Sequence, residues 1–376
     1  MTNLKKQTKF LIIPRPHVGD FIWATSAVAL LKKHEPSSDI TVIAPENITE
    51  LIKGNRIFDK VLTYDLTLFE SRKILIKAAY RFILFFKLLL SLRRCRFDAS
   101  FLLSPFPLFI KLLPFIKADK TVFSIYECCG YGQSSNESVF LNKYLPKDKL
   151  FPVEIPKDSD RTHRSEIYQT LVRKYLNSSN ISLPVIPDIS GEDRTDSLIK
   201  TEKLKKVAIC MQPSRTSRNV WPDEYLLKTI NAISQKTSAA FFMLGGNDIS
   251  GSFTILKSKL NEDIEIHDLY GKTSILELKE LLNKCDLLIS VDTGTLHVAA
   301  MTKIAIISLF GMTHPDSVVP MSPRNITLYS AIDCSPCVFK STFLKQPCPY
   351  ETRRCMELIK PESVIQHALR VLENKK

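Results

Sequence analysis

The chain alternates short apolar runs with helical patterns in both of its halves, which restricts it to layered α/β folds. Eight apolar runs predict strands at 9–13, 40–44, 61–64, 98–103, 207–211, 239–244, 287–291 and 305–310. Helical patterns separate most of these runs. Strands that alternate with helices predict parallel sheets covered by helices on both faces.

The length of 376 residues favours two domains. The alternation stops in the polar stretch 186–206, which contains Pro187 and Gly191, and it resumes at residue 207. We therefore predict α/β domains at 1–185 and 207–358, joined by a linker at 186–206. Two such domains predict a ligand cleft between them, at the carboxyl ends of their strands.

The charge balance favours an anionic partner. The chain carries 52 basic and 39 acidic side chains, a net charge of +13, and +10 of this lies in residues 1–120. Nucleic acid, an acidic membrane surface and a phosphorylated substrate all fit such a charge. We expect no nucleic-acid partner, because the chain has no recognised reading motif.

Cysteine usage favours a reducing compartment. Nine cysteines cannot all pair, and the apolar run 10–13 ends at Pro14, before it reaches the length of a signal-peptide core. A cytoplasmic protein is therefore expected.

Residues 72–96 carry eight basic side chains and no acidic one. The charges interrupt the apolar stretch, so it lacks the ~18–20 uncharged residues of a membrane span. The pattern predicts a basic amphipathic helix lying on an anionic bilayer surface. The alternative is a domain helix that packs its apolar face on a sheet while its lysines reach solvent.

The first motif with candidate chemistry lies between the strand 9–13 and the helix predicted to begin at residue 21. Gly19 permits a tight turn and the close approach of a ligand, and Asp20 follows at the helix start. Asp20 has two interpretations: an N-cap, or a general base that removes a proton from an acceptor hydroxyl. A helix N-terminus favours the ionised carboxylate that such a base requires.

The second motif, 291–300, joins a strand to a helix through a polar turn. N–H groups at a helix start favour phosphate, and two threonine hydroxyls add donors. Its candidate residues are Asp292, Thr293, Gly294, Thr295 and His297.

Two further loops follow predicted strands in the second half. Residues 212–222 contain Ser214, Arg215 and Arg218, whose donors suit anionic oxygens, and residues 310–315 contain Thr313. The chain lacks both a Walker sequence and a G-x-G-x-x-G motif, which disfavours P-loop NTPases and dehydrogenases.

Together these stretches resemble glycosyltransferase family nine, the ADP-heptose:lipopolysaccharide heptosyltransferases. The resemblance covers most of the chain and is strongest in 19–33, 93–103, 221–225 and 278–315. The run CDLLISVDTGTLHVAAMTKIAIISLFGMTHP resembles the most specific signature of that family.

The resemblance implies an α/β fold of the GT-B class: two Rossmann-like domains with parallel sheets facing a central cleft. Domain 1–185 would bind the acceptor, and domain 207–358 the nucleotide-sugar donor. The closing helix, in 359–376, would pack back toward the N-terminal domain. Family members invert the anomeric carbon by single displacement, without metal, and no cofactor is expected.

The resemblance also assigns roles to residues. Asp20 matches the general base. Asp292, Thr293, Gly294 and His297 match the region that binds the donor diphosphate and sugar, Ser214 falls in the phosphate-binding loop, and Thr313 falls in a second donor loop. From the motifs themselves we add Arg215, Arg218 and Thr295 to the candidate donor site, and Arg15, His17 and Gly19 as candidate residues of the acceptor loop.

The chain departs from the family pattern at Asn219. The family usually has a lysine two residues before the Trp-Pro pair, where it would offset leaving-group charge. Arg215 or Arg218 could supply the cation here.

Four cysteines near the C-terminus, Cys334, Cys337, Cys348 and Cys355, have a spacing that prompts a structural zinc hypothesis. Reduced structural thiols are the preferred interpretation, because the family often carries a similar stretch without a known metal requirement.

The leading expectation is an enzyme of Gram-negative bacteria that transfers heptose from ADP-heptose to the anionic lipopolysaccharide inner core. It would work in the cytoplasm, peripherally on the inner face of the membrane. The alternatives are the same chemistry with another nucleotide sugar or acceptor, and a non-catalytic binding protein of the same fold.

Overall fold

The computed structural model describes residues 7–52, 57–69, 73–103, 107–125, 141, 143–155, 161–184, 194–211, 219–246, 252–337, 348 and 353–373. The chain divides into two compact units, the first ending at Ile189 and the second beginning at Ser190. Each unit contains one six-stranded sheet. The predicted linker 186–206 spans this division, and the first strand of the second unit begins within it.

The first unit alternates strands and helices along most of its length. Its strands are β1 (Lys9–Ile13), β2 (Asp39–Pro45), β3 (Lys60–Tyr64), β4 (Arg96–Leu102), β5 (Lys117–Ile125) and β6 (Leu150–Glu154). Its helices are α1 (Val18–His34), α2 (Glu46–Ile52), α3 (Leu66–Phe69), α4 (Ile74–Leu92), α5 (Pro107–Leu112) and α6 (Arg164–Leu176), and short 3₁₀ turns span Leu113–Phe115 and Lys147–Lys149.

The second unit repeats this alternation. Its strands are β7 (Lys205–Cys210), β8 (Ala239–Met243), β9 (Ile266–Asp268), β10 (Leu287–Val291), β11 (Ala305–Phe310) and β12 (Asn325–Tyr329). A 3₁₀ turn at Arg194–Ser197 precedes them. The helices are α7 (Asp223–Lys236), α8 (Ser252–Lys257), α9 (Ile275–Lys284), α10 (Gly294–Ala299), α11 (Pro315–Val318), α12 (Arg354–Glu357) and α13 (Pro361–Glu373).

Both sheets are parallel and have the same strand order. The first runs β3-β2-β1-β4-β5-β6 and the second β12-β11-β10-β7-β8-β9, which is the same 3-2-1-4-5-6 order counted within each unit. This is the doubly wound order of Rossmann domains, in which strands are added outward on one side of the first strand and then, from the fourth strand on, on its other side. The predicted α/β class with two Rossmann-like parallel sheets is confirmed.

The inner strands except β5 were predictable, and so was the edge strand β3, whereas the other three edge strands were not. All eight predicted strands are present, within two residues at each end. The strands missed by the prediction are β5, β6, β9 and β12. β12 is half-buried along its whole length, and Pro152 interrupts the apolar pattern of β6, so neither gives the continuous apolar run of a buried parallel strand.

Helix α4 is the helix predicted at 72–96, and it has two apolar stripes. Leu84, Leu88 and Leu92 are buried in the core of the first unit. A second stripe, offset by two residues and so on the opposite side of the helix, is exposed: Phe82 is 66% exposed, Phe86 44% and Leu90 53%. Within the described residues, no helix has both the length and the apolar content to cross a membrane.

The closing helix α13 packs within the second unit. Its buried residues Val364, Ala368 and Leu372 belong to the core of that unit, where α13 contacts α7 and β11. The apolar stripe of α13 thus helps to cover its own sheet. The expectation that residues 359–376 pack back toward the N-terminal domain stays a prediction.

The two stripes of α4 predict opposite responses to truncation. Leu88→Ala should lower the free energy of unfolding by about 2–5 kcal/mol, because it leaves a cavity in the core. Leu90→Ala, on the exposed stripe, should change it by less than ~0.5 kcal/mol. Urea denaturation of both variants tests this, and equal losses would contradict the assignment of the buried stripe.

Candidate functional site

Asp20 lies in the first turn of α1, just beyond the carboxyl end of β1. His17 is the N-cap, with extended backbone, and its carbonyl accepts a hydrogen bond from the Phe21 N–H at 2.9 Å. Asp20 is the third helical residue, so its interpretation as an N-cap is wrong. The helix begins at Val18, three residues before the predicted start, which moves Asp20 inside the first turn.

The carboxylate of Asp20 is buried and hydrogen bonded. The Tyr168 hydroxyl, on α6, donates to Asp20 Oδ1 at 2.7 Å, and Asp20 is 8% exposed. Helix α6 packs against α1, and an edge-to-face contact between Trp23 and the His163 ring joins their N-terminal parts. An element absent from the predictions thus supplies the partner of the predicted base.

The surroundings of this pair are charged. Burial, reinforced by the negative charge of Asp20, raises the pKa of Tyr168 well above its usual value. The positive charges of Arg15 and Arg164 act on the phenol in the opposite direction. Arg15 and His17 are half-buried in the loop entering α1, and Gly19 is buried in its first turn.

In the second unit, the predicted donor residues lie beside the carboxyl ends of adjacent strands. Strand β10 pairs with β7 on one side and with β11 on the other, so the segments that follow these three strands are neighbours. Thr293 is the N-cap of α10, in extended conformation. Thr293 and His297 are both buried.

Short polar contacts connect the turn after β10 to its neighbours. Cys210 Sγ, at the end of β7, lies 3.7 Å from Thr293 Oγ1 and 3.5 Å from Thr295 Oγ1. His297 Nε2 lies 3.9 Å from Asp292 Oδ1, across the same turn. The structure therefore brings together Asp292, Thr293, Thr295 and His297 around the Gly294 helix start.

The segment after β11 adds Thr313 to this edge and explains Asn219. Asn219 is 4% exposed, and its Oδ1 accepts a hydrogen bond from the Met312 N–H at 3.1 Å. Thr313, the next residue, is also buried. Asn219 therefore links the segment before α7 to the loop after β11, as an acceptor, which is a contact that a lysine ammonium could not make.

Comparison with known proteins agrees with this architecture. Residues 152–347, just over half of the chain, match the family described as glycosyltransferase family 9 (heptosyltransferase). The chain belongs to this family. A lipooligosaccharide heptosyltransferase 2 of Campylobacter jejuni is 29% identical over 155 residues, which are 41% of this chain and 47% of the relative. The alignment thus spans about half the length of this curated relative.

Solved structures share the fold of this family 9 member. The Escherichia coli ADP-heptose lps heptosyltransferase II superposes over 98% of this chain and 99% of its own, with a TM-score of 0.71 at 16% identity. A family 9 glycosyltransferase of Veillonella parvula covers 98% of both chains, with a TM-score of 0.73 at 18% identity. An E. coli heptosyltransferase solved with ADP covers 97% of this chain and 100% of its own, with a TM-score of 0.63 at 13% identity. These likenesses confirm the predicted GT-B class at the level of the fold.

Three predicted donor residues of this family 9 member lie outside the described residues: Ser214, Arg215 and Arg218. Their assignment to phosphate binding therefore stays a prediction.

Two of the cysteines near the C-terminus, Cys337 and Cys355, lie beside the loop after β11. The Cys337 N–H donates to the Met312 carbonyl at 2.8 Å, and a Cβ added at Gly311 would lie 3.0 Å from Cys355 Sγ. Burial and the neighbouring cysteines Cys337, Cys334 and Cys348 raise the pKa of Cys355 to about 11. Among the described residues, no group of three His, Cys, Asp or Glu side chains has positions suited to a metal ion, so the zinc hypothesis gains no support.

Replacing Asn219 tests its structural role. Asn219→Ala should lower the free energy of unfolding by about 1–3 kcal/mol, because the buried Met312 N–H loses its acceptor. Asn219→Lys should cost at least as much, since it places an ammonium beside that N–H. Asn261→Ala, at an exposed position in the same unit, is the control. If both Asn219 variants unfold at the same denaturant concentration as the parent, the structural role of Asn219 is contradicted.

Proposed function

We propose that this chain is an inverting glycosyltransferase that transfers a heptose from ADP-heptose to the lipopolysaccharide inner core. Family membership supports glycosyl transfer. The observation that carries the mechanism is the Asp20 carboxylate, held by Tyr168 in the first turn of α1 at the carboxyl end of β1. A carboxylate fixed in this way suits proton removal from an acceptor hydroxyl.

The reaction is a single displacement. An acceptor hydroxyl loses its proton to Asp20 while its oxygen forms a bond to the anomeric carbon of the heptose. The bond between that carbon and the diphosphate oxygen breaks, and the nucleoside diphosphate leaves. Attack from the side opposite the leaving group inverts the anomeric carbon.

The second unit supplies the donor site in this proposal. Asp292, Thr293, Thr295 and Thr313 lie beside adjacent strand ends, where hydroxyls and N–H groups suit a diphosphate. The names of similar proteins support the choice of nucleotide: one E. coli neighbour is an ADP-heptose heptosyltransferase, and another was solved with ADP. The proposed chemistry uses hydroxyls, amides and arginines, without a metal.

The acceptor places the enzyme at the inner face of the cytoplasmic membrane, and α4 supports such a location. Its exposed stripe joins aromatic side chains into one patch: Phe82 and Phe86 have ring centroids 4.7 Å apart, and Phe85 contacts both Phe86 and Phe115. The same segment of sequence, 72–96, carries eight basic residues and no acidic one. Aromatic side chains among basic ones suit the headgroup region of an anionic bilayer.

Removal of the proposed base tests the mechanism. Asp20→Asn should lower the rate of transfer roughly 10²–10⁴-fold, because the acceptor proton has no positioned base. Its affinity for nucleotide, measured by calorimetry, should not change, because the proposed nucleotide site lies in the second unit. Asp119→Asn, which removes an exposed carboxylate from the same unit, should keep parental activity. Near-parental turnover of Asp20→Asn would remove Asp20 from the mechanism.

Vesicle flotation tests the membrane surface. The protein should float with anionic vesicles and remain in the dense fraction with neutral ones. Phe82→Ser/Phe86→Ser should reduce flotation at least about tenfold, because the variant lacks two rings that would be buried in the bilayer. Neutralising Arg72, Lys73, Lys77 and Arg81 should also weaken binding to the vesicles, by roughly 1 kcal/mol for each charge near the membrane surface.

Matched controls distinguish an effect of this surface from a general effect of losing charge or apolar side chains. Leu204→Ser/Ile255→Ser removes two exposed apolar side chains from the second unit, and Lys236→Gln/Lys257→Gln/Lys259→Gln removes three exposed charges. Both should float like the parent. Equal flotation of the α4 variants and the parent would contradict the proposal, and concentration-dependent dimerisation lost in Phe82→Ser/Phe86→Ser would assign the stripe to a second copy of the chain.

A further inference from the structure

Tyr168 is the buried partner of the proposed base, and no role follows for it from the sequence motifs. It is 2% exposed, one turn after Arg164 on α6, and its hydroxyl donates to Asp20 Oδ1 at 2.7 Å. The two residues are 148 positions apart in sequence. The contact therefore depends on the packing of α6 against α1 rather than on local chain geometry.

The chemistry of this contact makes the phenol a permanent donor. Burial and the charge of Asp20 keep Tyr168 protonated, because its pKa lies well above the usual value. A phenol has one proton to donate, and here Asp20 Oδ1 accepts it. The second carboxylate oxygen, Oδ2, is not engaged by Tyr168.

We propose that Tyr168 is a positioning residue: it holds Asp20 through Oδ1, so that Oδ2 receives the proton of the acceptor hydroxyl. This inference rests on the proposed function, in which Asp20 is the base. The proton moves from the acceptor oxygen to Oδ2 as the new glycosidic bond forms, and it passes to solvent after the products leave. Tyr168 keeps its own proton throughout.

A purely structural role makes a different prediction. If the pair only joined α1 to α6, its loss would lower stability and the amount of active enzyme without changing how the rate depends on pH. A positioning donor stabilises the ionised carboxylate relative to the protonated acid. Besides Asp20, the charged groups that act on Tyr168 are Arg15, from the loop before α1, and Arg164, from α6, and both remain in the test variant.

The test is the pH–rate profile of Tyr168→Phe, measured with saturating ADP-heptose and a lipopolysaccharide acceptor that lacks its core heptoses. We expect kcat to fall about tenfold or more, the loss for one hydrogen bond to a charged group. The acidic limb of the profile should move to higher pH, and KM for the donor should not change. The position of the limb is independent of the amount of folded enzyme, so a partly unfolded variant still gives an answer.

Tyr175→Phe is the matched control. It removes a hydroxyl from the same helix, where the Tyr175 ring packs against Phe10, Phe101 and Phe151 rather than beside Asp20. Its pH profile should be parental.

The outcomes separate this inference from the proposed function. If Asp20→Asn keeps parental turnover, the base itself is wrong. If Asp20→Asn is inactive but Tyr168→Phe has the parental kcat and a parental acidic limb, only the role of Tyr168 is overturned. In the double variant Asp20→Asn/Tyr168→Phe, the tyrosine change should have no further effect on transfer, and an additional loss there would also contradict the inference.

Discussion

Parallel pairing of the central strands is the constraint on which the rest of this molecule depends. In a parallel sheet every strand ends at the same edge, so segments distant in sequence become neighbours there. β1 lies between β2 and β4, and β10 lies between β7 and β11. Asp20 follows β1 in the first unit, while the turn 292–293 and Thr313 follow neighbouring strands in the second. The position of each of these residues therefore depends on the buried strand that precedes it.

The same constraint explains how far the sequence predicts the fold. Strands β1, β10 and β11 are almost entirely buried and consist mostly of apolar residues, and their bounds were predicted to the residue. β12 is half-buried throughout, and β6 contains a proline, so both lack that signal. Their positions follow from pairing with neighbours, which a local pattern does not encode.

The candidate site shows a similar division. Asp20 and the 291–300 turn were predictable, because each motif directly follows a strong strand. Tyr168 was not, because no helix was predicted at α6 and because its contact with Asp20 arises from helix packing. The departure at Asn219 illustrates the same limit. Sequence comparison presents it as a missing lysine, whereas the structure shows an amide that accepts the Met312 N–H.

Helix α4 shows why charge and apolarity have to be read together with burial. The eight basic residues of 72–96 predicted an amphipathic helix, but the apolar content is sufficient for two stripes. One stripe completes the core through Leu84, Leu88 and Leu92. The other is exposed at Phe82, Phe86 and Leu90, in the part of the chain with most of the positive charge. The segment with the highest density of positive charge therefore also carries an exposed aromatic stripe.

Nucleotide binding by isothermal calorimetry tests the central claim most directly, with ADP, UDP, GDP and CMP compared in one buffer, with and without magnesium. The account predicts selective binding of ADP that does not depend on magnesium. A preference for another nucleotide would contradict the assigned donor while keeping the proposed chemistry. Binding of none of the four would contradict the claim that the carboxyl edge of the second sheet is a nucleotide-sugar site.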